Sequence, residues 1–256
     1  MEIYSDRKKA QKRKRASRIK LYFLFLLLAL LLVGIFYLAA YSSVFKIKDI
    51  IIENNKFLKN DEILIGLRQK VLSAPFGGQA GFENLLAWPS GHVKISNPAI
   101  LDVNIKKEWF KRIIKVEVNE RERFAIWCTF QAKNCYWIDK QGYVFADAPV
   151  TEGSLVFTIF DSSESNLFFG SRVEEDRFVG NLISILESFY KTGFEVKRIT
   201  FNKELEEVHI ETIDGPAFRF STRFDSSKNI DMIKDLDFKK AEYIDLTVDE
   251  NKIYIK

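Results

Sequence analysis

The two cysteines of the chain are its most reactive side chains, and their spacing limits the chemistry open to them. Cys128 and Cys135 flank the short segment Thr129–Asn134, between apolar stretches that are typical of strands. A hairpin here would bring their Cβ atoms within reach of a disulfide. Two half-buried free thiols are the alternative. The pair lacks the Cys-x-x-Cys spacing of thiol redox enzymes, so we expect a structural role.

Other candidates for catalysis or metal binding are sparse. The only histidines are His92 and His209, and neither has the spacing of a zinc ligand set. The sequence contains no nucleophile elbow, Ser-x-x-Lys motif, phosphate-binding loop or dinucleotide fingerprint. The acidic groups at 174–176 and 204–207 are typical of solvated surface rather than of paired acid and base residues. We therefore predict a protein that is not an enzyme, with no catalytic residue, metal, cofactor or small-molecule substrate.

An apolar run near the N-terminus determines where the rest of the chain lies. No charged residue interrupts Leu21–Tyr41, and the tail before it is crowded with basic side chains: Arg7, Lys8, Lys9, Lys12, Arg13, Lys14, Arg15, Arg18 and Lys20. A helix needs roughly 20 apolar residues to cross a membrane, and its basic flank stays cytoplasmic. We assign 1–20 to a cytoplasmic tail and 21–43 to a transmembrane helix of the plasma (inner) membrane. A cleaved secretory signal is the alternative, although its apolar core is usually shorter.

The net positive charge of the chain comes from the tail before the membrane. The whole chain carries +4, but the tail supplies more than this excess, so the extracytoplasmic part is mildly acidic. Such a part lacks a broad phosphate-neutralising surface, and we predict no nucleic-acid partner. An extracytoplasmic location also favours oxidation of Cys128 and Cys135 to a disulfide.

Residue patterns beyond the membrane predict an α+β protein with two domains, 44–120 and 121–256. The first domain should contain a strand, a helix, a short helix and two further strands. These elements are expected at Phe45–Ile52, after an N-cap at Asn60, around Phe82–Trp88, and at Ile100–Lys106 and Ile113–Val118. Helix, turn and sheet patterns in the second domain predict a mixed, β-rich fold with one long helix. That helix is expected over Glu174–Tyr190, and a hairpin turn is expected at Asp214–Gly215.

The order of these features resembles the FtsQ/DivIB family of bacterial cell-division proteins. In that family a POTRA domain of β-α-α-β-β order follows the span, and a β domain follows it. The stretches that carry the resemblance are Asn97–Ile100, Lys107–Phe110, Asn119–Trp127, Tyr136–Phe145 (YWIDKQGYVF) and Tyr243–Leu246. Asn97–Ile100 is similar to the family's entry into its second strand, and Lys107–Phe110 is similar to its Trp-Pro hairpin. Tyr136–Phe145 is similar to its Asp-x-x-Gly hairpin, and Tyr243–Leu246 is similar to its Asp-Leu-Arg strand.

The resemblance implies a non-enzymatic scaffold at the division septum. Its partners would be FtsB/DivIC-like and FtsL-like single-span proteins and, through them, the septal peptidoglycan synthase. In the family the partner contacts the last strands of the β domain, which correspond here to about Tyr243–Lys256. Two alternatives stay open, a membrane-anchored envelope enzyme such as a peptidoglycan hydrolase and a POTRA-bearing translocation component.

Alternation within the last strands suggests how they bind. Ile244, Leu246 and Val248 should face inward, and the strand Lys252–Lys256 has no later sequence to cover it. An uncovered edge can accept a partner strand. The predicted partner-binding residues are Tyr243, Asp245, Thr247, Val248, Lys252 and Tyr254.

Overall fold

A computed structural model gives the architecture of the chain, which is mixed α+β. It describes residues 2–129, 134–151, 156–163, 166–227, 229–230, 241–248 and 254–255, and for 2–19 and 254–255 it describes the backbone only. The predicted fold class is confirmed at this level. An N-terminal apolar helix is followed by a β-rich region with a second long helix.

The N-terminal helix α1 spans Glu2–Tyr41. Its segment Lys20–Tyr41 has a mean hydropathy of 2.8 and covers 22 residues, and almost none of it is buried by the protein. At 1.5 Å per residue this segment is about 33 Å long, which matches the roughly 30 Å hydrocarbon layer of a bilayer. Among the residues that the structure describes, one helix could therefore span a membrane, as the sequence predicts.

The chain forms two compact units. Unit 1 comprises Met1–Asn97 and Asp102–Asn119, and unit 2 comprises Pro98–Leu101 and Glu120–Lys256. Each unit has its own sheet, and each is described separately below.

After α1, unit 1 contains two helices and a four-stranded sheet of order β1-β4-β3-β2. Its elements are β1 (Asp49–Glu53), α2 (Asn60–Leu72), α3 (Pro75–Ala80), β2 (Gly91–Val93), β3 (Ile100–Glu108) and β4 (Ile113–Glu120). Ile63, Leu67 and Val71 of α2 are buried, and so are the alternate β4 residues Ile114, Val116 and Val118. β1 runs parallel to β4, with Asp49 opposite Ile113.

Several predictions for unit 1 are wrong in detail. The short helix is α3 rather than Phe82–Trp88, because Pro75 supplies a favourable first turn and Gly81, at φ +84°, ends the helix. Asn60 is the first helical residue and not the N-cap, a position that Lys59 holds without a side-chain bond. β1 begins at Asp49 because Ser43–Phe45 form a 3-10 turn and the next two residues pair with Glu83 and Asn84 instead of with β4. The strand β2 was not predicted.

Unit 2 is built on a nine-stranded sheet of order β13-β12-β11-β10-β9-β8-β5-β6-β7. Its elements are β5 (Ala125–Cys128), β6 (Cys135–Ile138), β7 (Val144–Asp147), β8 (Phe157–Asp161), α4 (Asp176–Tyr190), β9 (Val196–Asn202), β10 (Glu207–Thr212), β11 (Ala217–Ser221), β12 (Tyr243–Leu246) and β13 (Tyr254–Ile255). The predicted long helix and the β10–β11 hairpin are confirmed.

The two faces of the unit 2 sheet form separate apolar clusters. The larger cluster joins the buried stripe of α4, including Leu186 and Phe189, to residues such as Phe218 and Ile244 in the sheet. β5 contributes alternate residues to both clusters, since Trp127 belongs to the larger one and Cys128 to the smaller one. This alternation follows from the two-residue period of a strand.

Candidate functional site

The C-terminal strands form one end of the unit 2 sheet. β12 runs parallel to β11, with Phe218 opposite Ile244. β13 runs antiparallel to β12, with Tyr254 opposite Asp245. In the strand order, β13 therefore stands last, and β12 connects it to the β10–β11 hairpin.

Alternation in β12 separates a core face from a polar face. Ile244 and Leu246 are fully buried in the larger cluster, whereas Tyr243 and Asp245 are half-buried. This division matches the prediction for these four residues. The prediction for Val248 is wrong, because β12 ends at Leu246 and the Val248 side chain is 37% exposed. Alternation holds only while the chain stays in the strand.

Asp245 organises the polar face of β12. One carboxylate oxygen accepts hydrogen bonds from the Thr247 backbone N–H at 2.9 Å and from its hydroxyl at 2.6 Å, and the Tyr243 hydroxyl lies 3.3 Å from the other. Burial alone would raise the pKa of Asp245, but these hydrogen bonds outweigh it and hold the pKa below its ordinary value. Asp245 is thus an ionised acceptor.

Tyr243 completes this group as a neutral donor. Burial, with the charge of Asp245 beside it, raises the pKa of Tyr243 to about 12. The guanidinium carbon of Arg219 lies 5.1 Å from the centre of the Tyr243 ring, within the range of a cation–π contact. The two strands β11 and β12 therefore present a phenol stacked against a cation.

The polar face continues across β11 into β10. Arg219 Nε lies 3.6 Å from a carboxylate oxygen of Glu207, and His209 Nε2 lies 3.2 Å from the same oxygen. We call Glu207, His209, Arg219, Tyr243, Asp245 and Thr247 the polar row. It offers donors, acceptors and one aromatic ring along a sheet surface next to the last strand. Such a surface can read the side chains of an added peptide strand.

The sequence predicts only part of this row. Tyr243, Asp245 and Thr247 are brought together as expected. Lys252 lies outside the described residues, and of Tyr254 only the backbone is described. Arg219 was not predicted, although its position between the buried residues Phe218 and Phe220 of β11 marks it as an outward residue of a strand.

No protein-family model matches the chain, and comparison with curated proteins finds no match.

The cysteines lie elsewhere in unit 2. Cys128 and Cys135 are directly opposite each other in β5 and β6, and they are joined in a disulfide. Both are buried, and Ile126 packs in the same small cluster. Five strands lie between β5 and β13 in the sheet order, so the disulfide is not part of the polar row.

Several other titratable groups pair with neighbours of opposite charge. His92 Nδ1 lies 3.0 Å from Asp102, and this hydrogen bond holds the pKa of Asp102 below its ordinary value. Glu174 pairs with Lys203 at 2.8 Å, and Asp176 pairs with Arg172. Among the described residues, no group of three or more His, Cys, Asp or Glu side chains could hold a metal ion.

Proposed function

We propose that this chain is a bitopic scaffold of the bacterial division machinery, similar to FtsQ/DivIB proteins. Its role is to bind FtsB/DivIC-like and FtsL-like partners and, through them, to assemble and regulate septal peptidoglycan synthesis. The order of elements supports the proposal: one apolar helix, a unit with a strand, two helices and further strands, and then a β-rich unit with one long helix.

The basic tail supports an orientation with the N-terminus in the cytoplasm. Lys and Arg residues before the span stay on the cytoplasmic side because their translocation is unfavourable. Both units would then lie outside the cytoplasm, close to the site of wall synthesis. A disulfide between Cys128 and Cys135 suits such a compartment.

The observation that carries the proposal is the position of β13 at the end of the unit 2 sheet. A last strand offers main-chain N–H and C=O groups on its outer side. A partner strand added there would gain affinity from main-chain hydrogen bonds and specificity from alternate side chains. The polar row next to β13 would supply part of that specificity.

Unit 1 supports the proposal as a POTRA-like domain. Its elements run β1-α2-α3-β2-β3-β4, which is a β-α-α-β-β order with the short strand β2 added before β3. β1 stands last in its sheet, and a groove beside it is lined by residues of β1 and α2, among them Ile50, Leu64 and Arg68. This edge is a second place where an extended segment of a division partner could bind.

Depletion in the encoding cells tests the proposed role. Cells that lose the protein should grow as filaments without septa, and a fluorescent fusion to the N-terminal tail should concentrate at midcell. Re-expression of the intact chain should restore division, whereas a chain ending at Val248 should localise to the membrane and fail to restore it. Normal division after complete depletion would contradict the proposal.

A further inference from the structure

The β3–β4 hairpin of unit 1 ends in two exposed aromatic side chains. Trp109 is 50% exposed and Phe110 is fully exposed, in the four-residue turn Trp109–Arg112 between the strands. We call this turn the hairpin tip. Exposed aromatic residues on adjacent positions usually mark a surface that contacts something apolar. Lys107 reaches back to the tip, with its Nζ 5.2 Å from the centre of the Trp109 ring.

The hairpin tip is attached to the end of the N-terminal helix. The guanidinium of Arg112 donates to the Ser43 carbonyl at 2.9 Å, two residues after α1 ends at Tyr41. The Lys48 backbone N–H donates to the Arg112 carbonyl at 2.8 Å. The Arg112 backbone N–H closes the turn on Trp109 at 3.3 Å. The tip therefore lies at the end of the sheet where the chain leaves α1.

The strand directions agree with this placement. β1 begins shortly after the helix, and its first residue, Asp49, is opposite Ile113, the first residue of β4. Since β1 and β4 are parallel, both start at the same end of the sheet. The turn that precedes Ile113 is the hairpin tip. Trp109 and Phe110 consequently project from the helix-proximal end of unit 1.

A second element of unit 1 also packs against the apolar helix. The rings of Phe76 in α3 and Phe36 in α1 meet edge to face, with centroids 5.8 Å apart. The buried side chain of Asn84 donates to the carbonyls of Ala39 and Ala40 at 2.8 and 3.0 Å, in the last turn of α1. These contacts hold α3 and Asn84 close against the end of α1.

The helix end coincides with the surface of a bilayer that α1 would cross. Lys20–Tyr41 is just long enough for the hydrocarbon layer. Tyr37 and Tyr41, whose ring centroids are 5.1 Å apart, stand where aromatic residues collect at membrane interfaces. The headgroup region extends roughly 5–8 Å beyond that layer, so Ser43, and Arg112 bound to it, lie within this region.

From this geometry we infer that the hairpin tip is a lipid-binding site, with the Trp109 and Phe110 side chains inserted among the headgroups of the outer leaflet. Three basic residues, Lys107, Lys111 and Arg112, flank the aromatic pair along the chain, together with one acidic residue, Glu108, which pairs with Lys111 at 3.0 Å. Their net positive charge complements lipid phosphates. Amphipathic aromatic rings and basic side chains are the residues that anchor proteins at this depth. The inference rests on the membrane-spanning role of α1 and is independent of the division role.

Tryptophan quenching in vesicles tests the inference. The full chain is reconstituted in phosphatidylethanolamine–phosphatidylglycerol vesicles, with and without lipids brominated on the acyl chains near the headgroup. The difference between the wild type and Trp109→Phe isolates Trp109 emission. Phe110→Trp adds a second probe at a fully exposed position. Both difference spectra should lose intensity in the brominated vesicles, because bromine quenches only on contact.

Phe57→Trp is the matched control. Phe57 is an aromatic residue of similar exposure, 54%, that follows the opposite end of β1. Its added emission should be equal in both kinds of vesicle. Equal emission of Trp109 and of the Phe110→Trp probe with and without bromine would overturn the inference. Retention of the same chain in alkaline carbonate washes would show in that case that the span is intact and that only the hairpin claim has failed.

Discussion

Reduction of the Cys128–Cys135 disulfide should cause a loss of stability whose size follows from the chain. The bond joins β5 to β6 over a sequence separation of 7. On the chain-entropy model, closing a loop of this size stabilises the fold by about 2.4 kcal/mol at 25 °C. With a urea slope of about 2 kcal/mol/M for a unit of this size, the midpoint of unfolding should fall by about 1.2 M.

The assay is a urea titration of Ser42–Lys256, followed by near-ultraviolet circular dichroism with and without reductant. Trp127 and Trp137 lie in the strands that carry the cysteines, so the signal includes unit 2. Trp88→Phe and Trp109→Phe substitutions remove the tryptophan contribution of unit 1. Reduction leaves every other covalent bond in place. The control is a Cys128→Ala/Cys135→Ala chain, whose midpoint of unfolding should be the same with and without reductant. An unchanged midpoint in protein shown to be reduced would refute the reasoning. Alkylation of both thiols in native, never-reduced protein would show that the bond does not form.

Three further predictions concern the turn at Gly142, the polar row and the topology. Gly142→Ala should destabilise unit 2 by about 1–3 kcal/mol, because φ is +75° and the new Cβ would lie 2.8 Å from Val179. Gly180→Ala, at an exposed position of α4 with no atom within 4 Å of its new Cβ, should stabilise unit 2 by up to about 1 kcal/mol. Thermal melts compare the two variants, and shifts of the melting temperature in the same direction would contradict this reasoning. The folded chain keeps the Tyr243 proton up to about pH 12, whereas the unfolded chain loses it near pH 10. The free energy of unfolding should therefore decrease as the pH rises from about 10 to about 12. Tyr243→Phe should flatten that fall, and identical pH slopes in urea titrations would argue against the raised pKa. Protease added to spheroplasts should digest the chain beyond about Val44 and spare the tail, and a protected C-terminus would reverse the topology.

Strong periodicity made several elements predictable from the sequence. The stripe of α4 recurs at helical spacing, and Leu182, Leu186 and Phe189 are buried as that spacing requires. The β10–β11 hairpin follows from alternating residues on either side of Asp214–Gly215. In each case a single local pattern determines both the element and its buried face.

Elements that depend on close tertiary approach were not predictable. α3 contains adjacent glycines that local propensity opposes, yet a Cβ at Gly77 would lie 1.9 Å from the Val71 carbonyl oxygen. Glycine is required there by the contact between α2 and α3, which no local pattern reveals. β2 is only three residues long and pairs with β3, so its identity comes from its partner.

The polar row shows the same limit at the candidate site. Alternation identified Tyr243 and Asp245 as outward residues of one strand. It could not show that Arg219 and Glu207 continue the row, because the register of β11 against β12 depends on a long connection between them. The position of Val248 was wrong for a related reason, since alternation does not indicate where a strand ends.

The affinity of the FtsB/DivIC-like partner for the last strand tests the proposed role most directly. Binding of the partner's extracytoplasmic segment is measured for the full chain, for a chain ending at Val248 and for Lys252→Pro and Tyr254→Pro variants. Loss of one main-chain hydrogen bond of about 1 kcal/mol should weaken binding about fivefold in each proline variant. Loss of the whole strand should weaken it further, while Ile213→Ala, at an exposed residue outside the polar row, should leave it unchanged. Equal affinities of the full and shortened chains, with both folded, would contradict the proposed binding edge.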